Sequence, residues 1–88
     1  MIDINPKNYN LSDKVTLQED SKNKIFIIIR RKSRIIMKDG EMILQIAERI
    51  REMDKGKKIG VLSIAPVCSK TKDYLKGKGI SVQLLKNC

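Results

Sequence analysis

Residues 60–82 read GVLSIAPVCSKTKDYLKGKGISV, an apolar run, a small-residue turn, an amphipathic stretch and a second apolar run, in that order. Lys58 to Ile64 (KIGVLSI) has an apolar centre without charge, as a strand buried on both faces has. Pro66 ends that strand, because proline has no N–H to give to a ladder. Ser69 is placed to cap a short helix running through Tyr74 and Leu75 to Lys76, and Gly77 and Gly79 close it. Ile80 to Leu84 then alternates strictly, as a strand with one wetter face at a sheet edge does. A strand-helix-strand connection prefers right-handed parallel pairing, so the last strands are expected to lie parallel with the helix packed against them.

Working toward the N-terminus, Asp39 is placed to cap a helix that begins near Glu41. Met42, Ile43, Ile46, Ala47, Ile50 and Met53 recur along one side of it at helical spacing. The other side carries Glu48, Arg49, Arg51 and Glu52, and Gly56 supplies a residue that tolerates a left-handed stop. Before the helix, Lys24 to Lys38 reads KIFIIIRRKSRIIMK. Its two apolar parts predict strands over Lys24 to Arg30 and Arg34 to Lys38, joined at Arg31-Lys32-Ser33. Val15-Thr16-Leu17 is a short candidate strand closed by the polar cluster Glu19 to Asn23. Residues 1–13, rich in Asn, Asp and Lys with Pro6, read as an extended or partly disordered arm, and 14–88 as a single domain. The expected fold class is α/β: a small mixed sheet built from a strand meander followed by a βαβ half, with two helices.

A chain of 88 residues has room for one modest core and little for an elaborate cavity. Nineteen Lys and Arg against ten Asp and Glu give a net charge of +9, and the distribution matters more than the sum. Residues 24–38 hold six cations and no carboxylate; 39–54 hold five carboxylates and two cations; 55–88 hold eight cations and one carboxylate. Two basic zones flanking an acidic helix predict one surface for a polyanion and a separate, mixed-charge surface for a protein. Histidine is absent and Cys68 and Cys88 are too few for a disulfide framework or a four-cysteine zinc site, so neither metal nor cofactor is expected. No apolar stretch reaches the ~18 residues of a membrane span, and the expected location is cytoplasmic, with no membrane partner.

The meander, the amphipathic helix Glu41 to Met53 and the GVLSIAPVCSKTKDYLKGKGISV segment together resemble the restriction-endonuclease-like fold of Mrr-type nucleases and archaeal Holliday-junction resolvases, over roughly residues 15–85. That resemblance implies an Asp on the second strand and a Glu-x-Lys on the third, because two carboxylates must hold the Mg²⁺ that activates water. Here the corresponding strand reads Ile27-Ile28-Ile29-Arg30 or Ile35-Ile36-Met37-Lys38. The resemblance therefore implies a scaffold with a basic surface and without metal-dependent cleavage. In size and in its basic, Lys- and Ile-rich character the chain also resembles the small polymerase-binding subunit of the crenarchaeal B-family DNA polymerase, which implies a non-catalytic accessory subunit docked on a larger partner.

Cationic side chains at a strand end or on a short helix meet phosphates without first ordering a loop. Arg30, Arg31, Lys32 and Arg34, with Lys70, Lys72 and Lys76, are the candidate contacts to DNA phosphates, and Glu48, Arg49 and Glu52 the candidate protein-binding residues. A solvated basic face is the alternative reading of both cation groups. Cys68, where a strand gives way to a helix, reads either as a small apolar plug or as a thiol whose pKa is lowered by the helix N-terminus and Lys70. Ser69-Lys70-Thr71 echoes the end of a phosphate-binding loop but lacks its glycines. The expected function is an accessory subunit of a DNA-processing complex, in this reading a DNA polymerase. A pure protein adaptor, using the acidic helix or the Ile80 to Leu84 edge, and a cysteine-dependent phosphate-handling enzyme are the alternatives.

Overall fold

The computed structural model describes residues 2–11, 15–20, 23–30 and 33–84. Its strands are β1 (Ile2–Ile4), β2 (Thr16–Glu19), β3 (Lys24–Ile29), β4 (Lys58–Ser63) and β5 (Ser81–Leu84), and its α-helices are α1 (Met37–Met53) and α2 (Ser69–Gly77). They form one sheet in the order β1-β2-β3-β4-β5, antiparallel across the first two pairs and parallel across the last two. The molecule is thus the α/β fold expected, a mixed sheet with a meander leading into βαβ connections.

β3 lies at the centre because it is apolar on both sides. Alternation sends Ile25 and Ile27 into the main core with Leu17, Ile59 and Val61, beneath Ile43, Ala47 and Ile50 of α1 and Leu75 of α2. Phe26 and Ile28 join Leu62 in a second cluster on the opposite sheet face. Ser63 is fully buried where β4 ends, and its hydroxyl donates to the Ala65 carbonyl at 2.9 Å and accepts the Ala65 N–H at 3.1 Å. This local loop, more than Pro66, turns the chain out of the strand. α2 closes on a Schellman motif: Ile80 N–H reaches the Leu75 carbonyl, Gly79 N–H reaches Lys76, and Gly79 takes φ +77°.

The meander is not built from the strands the sequence suggests. Arg34 to Lys38 forms no strand; Ile35 makes an isolated parallel bridge to Val67, and the helix already begins at Met37. Ile35 is fully buried while Ile36 is 49% exposed, so one anchoring isoleucine, rather than a strand pattern, explains the apolar run. Arg31 and Lys32 of the expected turn lie outside the described residues. The missing meander strand is β1, from the stretch read as an arm: Ile2, Asp3 and Ile4 pair with Glu19, Gln18 and Leu17. A 3₁₀ turn (Pro6–Tyr9) follows, capped by the Asn5 side chain, and Tyr9 is buried in the main core. In its described part this stretch buries apolar surface and belongs to the sheet.

Three details of α1 also differ. Asp39 sits inside the helix and accepts the Ile36 N–H at 3.0 Å, so it caps from the third position. The buried stripe is Gly40, Ile43, Ala47 and Ile50, which leaves Met42 and Met53 on the flank, 54% and 56% exposed. Gly56 has no positive φ; the helix stops at Asp54, whose carbonyl accepts Lys57 N–H. The left-handed positions among the described residues are Asn10, Asn23 and Gly79.

Gly40 is where the two helices touch. A Cβ there would lie 2.7 Å from the Thr71 Cγ2 methyl, and Thr71 is itself fully buried. Gly40→Ala is therefore expected to destabilise by about 1–3 kcal/mol despite alanine's better helix propensity. Thr71→Ser, which deletes that methyl, should recover most of the loss in a double-mutant cycle followed by urea unfolding. A neutral or stabilising Gly40→Ala would refute the close approach.

Tyr9 ties the N-terminal segment to the end of α1, its hydroxyl donating to Asp54 Oδ2 at 2.7 Å. Burial, then the hydrogen bond and charge of Asp54, push the phenol up to about 12 from 10.0. The folded form holds that proton more tightly than the unfolded chain. Its contribution is thus complete below pH 10 and is lost as pH climbs toward about 12. Tyr9→Phe should cost about 1 kcal/mol at neutral pH. It should also remove the wild type's extra loss of stability across that alkaline window, measured by denaturant midpoints. Parallel alkaline curves for the two proteins would contradict the assignment.

Candidate nucleic-acid interface

The carboxyl ends of β3 and β4 are held side by side beyond the strands themselves. Ile64 N–H bonds the Ile29 carbonyl at 3.1 Å, Ile35 N–H the Pro66 carbonyl at 3.0 Å, and Cys68 N–H the Ile35 carbonyl at 2.9 Å. These bonds bring the segments after both strands, and the starts of α1 and α2, to one edge of the sheet. Exposed on it are Arg30, Arg34, Lys38 at the second position of α1, and Lys70 at the second position of α2. The N-termini of both helices add their partial positive charge at the same edge. In open α/β sheets this carboxyl edge is the usual place for ligands.

Of the expected phosphate contacts, the structure gathers Arg30, Arg34 and Lys70. Arg31 and Lys32 lie outside the described residues. Lys72 and Lys76 are exposed on α2, and Lys76, six residues beyond Lys70, sits about 9 Å further along the helix axis. They extend the cationic surface away from the edge. Lys38 is not in the sequence-based set; its place at the start of α1 follows from the helix beginning at Met37, four residues before Glu41. The expected protein-binding residues Glu48, Arg49 and Glu52 lie together with Gln45 along a shallow depression on the exposed side of α1.

Cys68 occupies the N-cap of α2, with its carbonyl accepting Lys72 N–H at 2.9 Å. The backbone N–H of Lys70 lowers the thiol's pKa most, the N–H of Thr71 adds to this, and the Arg34 charge and the Thr71 hydroxyl contribute further. The Thr71 hydroxyl is fully buried and has no other partner among the described residues. In a Cys88→Ser background, Cys68 should alkylate with iodoacetamide near neutral pH faster than an unperturbed thiol, and Thr71→Val should slow it. A rate equal to that of free cysteine would show the thiol to be ordinary.

Between β2, β3 and α1, beside this edge, opens a groove of about 540 Å³ lined by Val15, Thr16, Ile27 to Arg30, Ile35, Asp39, Met42, Ile43 and Ile46. It lies where strands two and three of the meander would present metal-binding carboxylates. The residues do not fit a magnesium ion. β3 brings isoleucines, Asp39 is committed to the helix cap, and the acid of β2, Glu19, stands at the other end of the sheet beside Lys57. Among the described residues, no group of three or more His, Cys, Asp or Glu converges as metal ligands would.

No protein-family description matches this chain, and no curated protein matches it. Solved structures do. A repair endonuclease from Pyrococcus abyssi superposes with a TM-score of 0.64 over 81% of the chain at 12% identity, and EndoMS in its apo form with a TM-score of 0.67 over 84% at 17% identity. The chain has the restriction-endonuclease-like fold. It spans about a third of each neighbour, 31% and 32% of their lengths.

These neighbours overturn the accessory-subunit expectation. The second resemblance, to a small polymerase subunit, rested on size and basic composition, which many unrelated small proteins share. The scaffold instead aligns with endonucleases. Among the described residues no helix is long and apolar enough to cross a membrane.

Proposed function

We propose that this chain is a DNA-binding domain on a nuclease-type scaffold that grips the phosphate backbone at its carboxyl edge and does not cut DNA through metal ions. The observation that carries this reading is the convergence of Arg30, Arg34 and Lys38, from the segment that links β3 to α1, with Lys70 of α2 on one edge, held there by the backbone bonds between the segments that follow β3 and β4. Lysines 72 and 76 lengthen the footprint along α2. The kinship of fold with repair endonucleases supports DNA as the polyanion, and the isoleucines of the groove support binding without metal-dependent cleavage.

Sequence would be read weakly in this arrangement. Arginine and lysine contacts to phosphate set position and supply affinity, whereas base reading needs side chains in a groove. If six to ten phosphates are engaged, affinity for duplex DNA should fall by roughly 10³ to 10⁵ between 50 and 200 mM salt. Fluorescence anisotropy measures this, and parallel incubation of supercoiled DNA with Mg²⁺ or Mn²⁺ should leave it intact. A flat salt response would remove the phosphate reading; metal-dependent nicking that co-purifies with the chain would remove the non-cleaving one.

A further inference from the structure

At the opposite end of the sheet the fold makes a second basic site that the sequence does not announce. An open depression of about 380 Å³ is lined by Lys24, Arg51, Lys57, Lys58, Ile59, Gly79 and Ser81: four cations from three parts of the chain, and no carboxylate among the lining residues. Its size is within the range of small-molecule pockets. Lys24 begins β3 and Arg30 follows its end, so the site stands about 20 Å from the carboxyl edge at ~3.3 Å per residue.

Lys24 and Lys58 are register partners on adjacent parallel strands. Like charges directly opposite one another on a sheet are unfavourable unless something negative lies between or above them. Two of the other cations are already oriented by the protein. Arg51 donates to the carbonyls of Lys78 at 3.0 Å and Gly79 at 3.4 Å, and Lys57 pairs with Glu19 and reaches Asn23 Oδ1 at 3.4 Å. Lys24 lies over the Phe26 ring, 5.0 Å from its centroid.

The site also contains an unanswered hydrogen-bonding group. Ser81 Oγ is buried with no partner among the described residues. Such a hydroxyl costs free energy unless a ligand or water completes it. Gly60 lets Ser81 and Lys24 pack closely over it: a Cβ there would lie 2.8 Å from Ser81 Oγ and 2.9 Å from Lys24 Cε. Gly79 is left-handed, and a Cβ on it would lie 3.3 Å from the Arg51 guanidinium.

We propose that this depression is a binding site for a phosphate group, held by Lys24 and Lys58 with Ser81 donating its hydroxyl and Arg51 at the rim. Charge-assisted bonds from lysine suit a compact anion; none of the lining residues carries a carboxylate, and the nearby Glu19 is already paired with Lys57. The phosphate comes either from a small phosphorylated molecule such as a nucleotide or from the phosphorylated end of a DNA strand. The site is independent of DNA binding at the carboxyl edge, and either can fail without the other.

The test is a ¹⁵N-¹H NMR titration of the full chain with inorganic phosphate, with a nucleoside 5′-monophosphate, and with short oligonucleotides with and without a 5′-phosphate. A matched sodium chloride titration separates ionic strength from binding. Saturable shifts of the Ile59, Gly60, Gly79 and Ser81 amides are expected with phosphate. Lys24→Gln and Lys58→Gln should each weaken binding about tenfold and Ser81→Ala about fivefold, while the rest of the spectrum stays unchanged. Tighter binding of the monophosphate assigns the small-molecule source; shifts that require the 5′-phosphate of the oligonucleotide assign the strand end. Shifts equal to those from chloride, no saturation by roughly 50 mM, or binding that survives the Lys24→Gln/Lys58→Gln double variant would overturn the site.

Discussion

Replacing Arg30, Arg34 and Lys70 together by glutamine is expected to lower affinity for duplex DNA at 100 mM salt by roughly 10² to 10³-fold. The magnitude follows from counterion release: each phosphate contact contributes about 0.9 to the slope of log K against log salt, and therefore about 0.9 log unit at 0.1 M. The slope itself should fall by between two and three. Since the three side chains stand exposed at the sheet edge, fold and melting temperature should change little. The combination of lost affinity, shallower salt dependence and intact fold is the signature of lost phosphate contacts. A triple variant that binds as tightly as the wild type, with the same slope, would place the DNA elsewhere on the molecule.

The second large effect concerns the helix that covers the sheet. Ile50 is fully buried in the main core, whereas Met53, one turn on, is 56% exposed. Ile50→Ala should cost about 2–5 kcal/mol, through lost transfer free energy and the cavity left behind. At roughly 4–8 °C per kcal/mol for a domain of this size, that shifts Tm by tens of degrees. Met53→Ala should stay within ~0.5 kcal/mol. Urea unfolding of the two variants distinguishes the observed stripe from the one spacing alone suggests, in which both residues face the core. Equal losses would mean that the helix is rotated from the orientation described.

That contrast shows where sequence reasoning reached and where it stopped. The last βαβ unit, β4-α2-β5, was legible because its signals are local: apolar runs of strand length, glycines at the helix end, and strict alternation after Gly79. The meander was not. Ile35-Ile36-Met37 has strand composition, but one buried isoleucine bridging to Val67 satisfies it. Ile2-Asp3-Ile4 has too little apolar content to declare a strand, and its pairing is set by β2, a tertiary partner that no local pattern reveals. Spacing also placed the apolar stripe of α1 too broadly, since six apolar positions cannot all lie over a sheet that buries Ile43, Ala47 and Ile50.

The carboxyl-edge site was half legible for a related reason. Composition pointed to Arg30, Arg34 and Lys70, because cations without carboxylates are visible in a linear chain. That Arg30, Arg34 and Lys70 share an edge depends on the bonds linking the segments after β3 and β4. The basic depression at the other end depends on the parallel register that sets Lys24 opposite Lys58, which charge counting had separated into two groups. Lys57 is a partner of Glu19, far away in the chain, which holds its pKa above the usual lysine value.

The most direct measurement is chemical-shift mapping of the ¹⁵N-labelled chain with a short DNA duplex at low salt. Perturbations concentrated on Arg30, Ser33, Arg34, Lys38 and the start of α2 from Ser69 to Lys72, fading as salt is raised, are what the carboxyl-edge account predicts. Perturbations centred on the outer side of α1 at Glu48, Arg49 and Glu52, or none at all, would contradict it.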